Sequence, residues 1–118
     1  MLQYDDENTA AAIGEILKRE NVEMLDLKNE GIGDKEVAVL SKLLTTNDTI
    51  HTLNLESNSI SSTGAITLST ALYTNTAVHA LKLDGNNISI VGKTALAMAA
   101  KRNQMLKIYP SSWMHVCA

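Results

Sequence analysis

Two copies of one phrase, Leu53-x-Leu55-x-x-Asn58-x-Ile60 and Leu81-x-Leu83-x-x-Asn86-x-Ile88, lie 28 residues apart, and an apolar stretch of helical character follows each. A constant spacing of that length constrains the fold more than any other feature. Each unit holds the same elements in the same order and must bury its apolar side against a neighbouring unit. The period runs along most of the chain. Val22, Ile50, Val78 and Leu106 form one column, and Leu25, Leu53, Leu81 and Tyr109 form the next. Leu27, Leu55 and Leu83 follow, then Ile32, Ile60 and Ile88. The helical segments add Leu40, Leu68 and Leu96, preceded by Ala12, and Leu44, Leu72 and Ala100, preceded by Ile16.

The Leu-x-Leu alternation marks a short strand with one face buried. One strand and one helix per unit predict an α/β solenoid whose strands stack as a parallel sheet. The 118 residues suffice for one small domain. A capping helix is expected over 5–20, three units over 22–105, and a partial fourth unit with a tail over 106–118. Asn58 and Asn86 stand where the chain turns out of the strand, and a short amide there satisfies backbone groups that have no strand partner. They are expected to form a structural ladder. The first unit has Glu30 at that position, which is expected to reach water.

Gly33-Asp34, Ser61-Ser62 and Ser89 precede helices expected over 36–46, 64–74 and 92–102, with Asp and Ser as caps. Asn47, Asn75 and Asn103 follow those helices, where left-handed stops are expected. Pro110 stands in the place of Lys82. The tail, with Trp113 and Met114, is expected to fold back over the last core residues, with self-association and disorder as alternatives.

The runs from Leu53 to Ala65 and from Leu81 to Gly92 resemble leucine-rich repeats of the ribonuclease-inhibitor type, and the resemblance extends over about 22–109. It implies a curved slab with strands on the concave side and, usually, protein binding. Similar repeats occur in intracellular NOD-like receptors, the Ran GTPase-activating protein, actin-capping tropomodulins and some bacterial effectors. The chain departs from the pattern at Glu30, and at Lys35-Glu36 where later units have Thr63-Gly64. Its array is also far shorter.

Side chains between the core leucines point outward on the strand side. Met24, Asp26 and Lys28 come from the first unit, Thr52, Asn54 and Glu56 from the second, and Ala80, Lys82 and Asp84 from the third. These nine form the candidate protein-binding face. Charge reverses along each column, Asp26-Asn54-Lys82 and Lys28-Glu56-Asp84. That suits either a solvated face with mutually satisfied charges or an oriented docking face. Aromatic anchors are absent from the nine, so Tyr73 and Trp113 offer other contact points.

The expected function is a protein–protein interaction module or small intracellular adaptor. The alternatives are a structural or self-assembling unit and a bacterial effector-like protein that binds a host protein. Net charge is -3 and the densest basic pairs are Lys18-Arg19 and Lys101-Arg102, so no nucleic-acid partner is expected. No stretch spans a bilayer and no secretion signal precedes the units, so no membrane contact is expected. Cys117 is the single cysteine, which favours a cytoplasmic or otherwise intracellular setting, with secretion as an effector left open. Glycosylation-type tripeptides at Asn47 and Asn87 matter only in a secreted chain. A homodimer through a solenoid end or the tail is the second partner expectation.

His51 and His79 are equivalent positions in line with Glu23 and Lys107, and stacked strands hold such a line in a row rather than around a point. His115-x-Cys117 has no orienting acid. No phosphate-cradling Gly-rich loop is present. No catalytic residue, cofactor or metal is therefore expected, and no enzyme activity.

Overall fold

The structure is a computed structural model, described here over residues 21–113. The expected capping helix, along with Met114, His115 and Cys117, lies outside the described residues. The chain forms an α/β fold in which strand and helix alternate: β1 (Met24–Asp26), α1 (Asp34–Leu44), β2 (Thr52–Asn54), α2 (Ser62–Leu72), β3 (Ala80–Lys82), α3 (Ile90–Arg102) and β4 (Lys107–Tyr109). The strands make one parallel sheet in the order β1-β2-β3-β4. The helices pack in the same succession, α1 on α2 and α2 on α3.

Leu25, Leu53 and Leu81 lie opposite one another across the first three strands, so the 28-residue period of the sequence is the register of the sheet. Their side chains, with Leu27, Leu55, Leu83 and the Ile32, Ile60 and Ile88 column, form one continuous core with Leu40, Leu44, Leu68, Leu72 and Leu96 of the helices. Fully burying each such side chain contributes about 1.5–3 kcal/mol. The middle unit is sealed from both sides, and Leu53, Leu55, Ile60, Leu68 and Leu72 have no exposure at all.

The turns leaving the strands are held by amides. Asn58 Oδ1 accepts from Glu30 N (3.0 Å) and Ile32 N (2.9 Å), while its Nδ2 donates to Leu27 O, Leu55 O and Glu56 O. Asn86 repeats the arrangement one unit on, accepting from Ile60 N and donating to Leu55 O and Leu83 O. Each side chain thus ties its own turn to that of the preceding unit. Glu30 differs from the expectation. It is half-buried, and its Oε1 is shielded from solvent without a hydrogen-bond partner among the described residues.

A second amide ladder runs along the turns entering the strands. Asn75 is buried; its Oδ1 accepts from Ala77 N and Val78 N, and its Nδ2 donates to Leu44 O (2.8 Å) and Asn47 O (3.0 Å). Asn47 accepts from Thr49 N and Ile50 N, and Asn103 Nδ2 donates to Asn75 O. The expected left-handed stops are therefore corrected. The residues ending α1 and α2 are the right-handed Thr45 and Tyr73, and Asn103 ends α3 in an extended conformation. Asn29 and Ser57 are the non-glycine residues with positive φ among those described. Asn47, Asn75 and Asn103 act through their side chains instead.

The helices begin two residues earlier than expected, because Gly33, Ser61 and Ser89 are the extended N-cap residues. None of the three makes a side-chain cap bond to its own helix. At α1 the Glu36 carboxylate within the helix accepts from Gly33 N (2.6 Å), whereas α2 and α3 are held from the preceding unit. Asp34 Oδ1 accepts from Ser61 N (2.9 Å) and Gly64 N (3.2 Å), and Asp34 Oδ2 accepts from the Ser61 hydroxyl. Ser62 Oγ accepts from Ser89 N in the same way. A carboxylate at the start of α2 also complements the partial positive charge of that helix end.

The last strand corrects the Leu25-Leu53-Leu81-Tyr109 column. Ile108 lies opposite Leu81 and is 1% exposed, while Tyr109 lies opposite Lys82 and is 41% exposed. One residue, Lys107, separates buried Leu106 from Ile108, where two separate Val78 from Leu81. That shortening advances the register by one and reverses the faces. Pro110 consequently follows the strand instead of standing opposite Lys82. Trp113 is half-buried against the core, with Lys93 Nζ 5.1 Å from its ring centroid.

Candidate functional site

The strand side of the sheet carries the nine candidate residues, but not on equal terms. Met24 is 52% exposed, and Asp26, Lys28 and Asp84 are exposed as well. Thr52, Glu56, Ala80 and Lys82 are half-buried. Asn54 departs from the expectation: it is 6% exposed, and its Oδ1 accepts from Glu56 N at 3.0 Å. It lies between β1 and β3 in the middle of the sheet and holds the strand-to-turn backbone. It is a structural residue of the face rather than a contact on it. Asp26 makes the same local bond, to Lys28 N, yet stays exposed because β1 lies at the end of the strand order.

Six of the nine meet around one open depression of ≈ 590 Å³: Met24, Thr52, Glu56, Ala80, Lys82 and Asp84, joined by Tyr109. Asp26 and Lys28 are outside its lining. Tyr109 supplies the aromatic side chain the candidate face lacked. It was missed because a strict 28-residue step assigns it to the core; the short spacing between Leu106 and Ile108 was the signal that could have found it.

The charges around the depression are not neutralised by one another. Among the described residues, no ion pair joins Glu56, Lys82 and Asp84 to one another or to Lys28 outside the lining. Exposed pairs of this kind contribute little even when formed, about 0–1 kcal/mol. Leaving them apart therefore costs the fold almost nothing and keeps the charges available. Two apolar side chains, Met24 and Tyr109, stand among them.

The histidine row lies at the strand starts. The rings of His51 and His79 stack with centroids 5.3 Å apart and planes 15° from parallel. His51 Nδ1–H donates to Ala77 O at 3.0 Å, and Glu23 Oε1 lies 4.0 Å from His51 Nε2. The backbone sets this row, since His51 N donates to Glu23 O, His79 N to His51 O and Lys107 N to His79 O. Among the described residues, no group of three or more His, Cys, Asp or Glu is arranged to hold a metal ion.

On the helical side, a shallow groove between α1 and α2 is lined by Ala38, Lys42, Thr45, Ile66 and Thr70 among others. Tyr73, one of the two alternative contact points, lies beneath Arg102, whose Cζ is 5.8 Å from the ring centroid. Among the described residues, no helix is long and apolar enough to cross a membrane.

No family model matches this chain, and no curated protein matches it in sequence. Solved structures do match. One is titled "Leiomodin-1 Actin-Binding Site 2 (ABS2)"; it aligns with a TM-score of 0.77 at 22% sequence identity, over 96% of this chain and 69% of that chain. At that identity the likeness is one of fold: a stack of alternating strands and helices around a parallel sheet.

Proposed function

We propose that this chain is a short leucine-rich-repeat module of the ribonuclease-inhibitor type that binds a protein partner through the strand face, in an intracellular setting and without catalytic chemistry of its own. The observation that carries the reading is the depression between Met24 and Tyr109, where Lys82 on β3, and Glu56 and Asp84 two residues past the ends of β2 and β3, stand without ion-pair partners among the described residues. Fixed charges of both signs select a partner's orientation, and the two apolar side chains supply contact area. The sheet beneath is held by two amide ladders, so the charges keep their spacing before a partner arrives. The leucine-rich-repeat assignment is supported by the one-strand, one-helix unit, the 28-residue register and the Asn58–Asn86 ladder. Because one similar solved structure is titled an actin-binding site, actin is the first protein to test.

The test pairs wild-type protein with the triple variant Glu56→Lys/Lys82→Glu/Tyr109→Ala. All three side chains line the depression, and none makes a side-chain hydrogen bond to the turns. Both proteins are assayed by co-sedimentation with actin filaments and by affinity capture from lysate. A partner held by the wild type should bind the variant about tenfold or more weakly, a difference of about 1.4 kcal/mol. Equal retention by two proteins of equal thermal stability would remove the strand face from the proposal.

A further inference from the structure

Charge is sorted along the stack. Among the described residues, 21–48 carry six acidic and three basic side chains, whereas 77–113 carry one acidic and five basic. The strands follow sequence order, so this sorting becomes spatial. Exposed Glu23 and Asp26 mark the β1 end, and exposed Lys101, Arg102 and Lys107 mark the β4 end.

Among the described residues, the β4 end is also open in two other respects. Lys107 N–H donates to His79 O (2.7 Å) and Tyr109 O accepts from Leu83 N (2.8 Å). Alternate peptide groups of a parallel strand point to opposite sides, so those of Ile108 face away from β3. No described strand pairs with them. Beside this edge runs a groove of ≈ 470 Å³, bounded by Lys101 and Lys107 over Leu106 and Ile108. At the other end, Glu23 O accepts from His51 N and Leu27 N donates to Asn54 O. By the same alternation, the peptide groups of Met24 and Asp26 face away from β2.

We propose that a second copy of this chain docks head to tail, the basic β4 end of one copy against the acidic β1 end of the next. The charge pattern decides against the symmetric alternative. Pairing β4 with β4 of another copy would set Lys101, Arg102 and Lys107 against their own equivalents, and like charges across an interface disfavour that partner. Lysine on an edge strand commonly blocks edge-to-edge pairing, but it does not block an approaching acidic end. A contact between unlike ends leaves one free end of each kind, so association lengthens instead of closing into a dimer. This use of the ends is independent of partner binding on the strand face.

The test is sedimentation velocity of the full chain over a concentration series at low and high salt, with two charge-reversed variants, Lys101→Glu/Lys107→Glu and Glu23→Lys/Asp26→Lys. The wild type should gain mass past the dimer without a plateau and lose it at high salt. Each variant alone should associate at least about tenfold more weakly. Their equimolar mixture should associate again, since one variant then has two acidic ends and the other two basic ends. Circular dichroism checks that both variants are folded. A wild type that stays monomeric at high concentration and low salt, a dimer that plateaus, or variants that do not recover on mixing would each overturn the proposal.

Discussion

Replacing Asn58 with alanine tests the idea that buried amides, as much as the leucine columns, hold the units together. The side chain makes five hydrogen bonds, two accepted from Glu30 N and Ile32 N and three donated to Leu27 O, Leu55 O and Glu56 O. Their loss is unequal in cost. Glu30 N and Glu56 O are only part-buried, so water can replace the amide there. Leu55 O keeps Asn86 Nδ2 at 2.8 Å. Ile32 N and Leu27 O sit in buried surroundings, and each such orphaned group costs about 1–3 kcal/mol. With smaller losses at the other three, Asn58→Ala should destabilise by about 3–5 kcal/mol, against a total of about 5–15 kcal/mol for a domain. In urea, with a slope of about 1–1.5 kcal/mol/M for a chain of this size, the midpoint should fall by about 2–5 M. Asn86→Ala is the internal control. It orphans Ile60 N and Leu83 O at part-buried sites, and Leu55 O keeps Asn58, so about 1–3 kcal/mol is expected. A loss within about 1 kcal/mol for Asn58→Ala, or a larger loss at Asn86 than at Asn58, would refute the reasoning.

Two further substitutions probe capping between units. A Cβ at Gly64 would overlap Asp34 Oδ1 and lie 3.0 Å from Ile60 Cγ2, so Gly64→Ala should displace the carboxylate that caps α2 and lower stability by about 1–3 kcal/mol in thermal unfolding; a neutral or stabilising result would show that the Asp34 bonds contribute nothing. Ser62 is the equivalent of Asp34 one unit on and binds Ser89 N through its hydroxyl alone, so Ser62→Asp should raise stability by about 0.5–1 kcal/mol by placing a carboxylate at the start of α3; a lower melting temperature at low salt would argue against that equivalence.

The leucine and isoleucine columns were legible because burial in a stack is decided by period, and the period is visible in the Leu25, Leu27, Ile32, Leu40 and Leu44 columns; Val37 and Ala65, also in the core, share a column with Lys93 and do not show it. Asn58 and Asn86 were legible for a chemical reason, since an amide is the short side chain that both donates to and accepts from a turn. The same logic applied to Asn47, Asn75 and Asn103, which also recur at 28 residues. An asparagine after a helix suits a left-handed residue and a side-chain staple equally well, and only its recurrence in one column argues for the staple. Asn54 was misplaced because alternation says which way a side chain points and not what stands beside it. Asp26 occupies the same column and is exposed, since it lies on the outer strand. The register at β4 was the most consequential departure. Dropping one residue between Leu106 and Ile108 keeps a Leu-x-Ile alternation that still reads as a strand, so the hydrophobic pattern alone does not announce the slip. Yet because the side-chain period in a strand is two, that single residue moves Ile108 into the core column and turns Tyr109 outward. The depression therefore gains its aromatic wall from an irregularity of the repeat, at the point where the array ceases to copy itself.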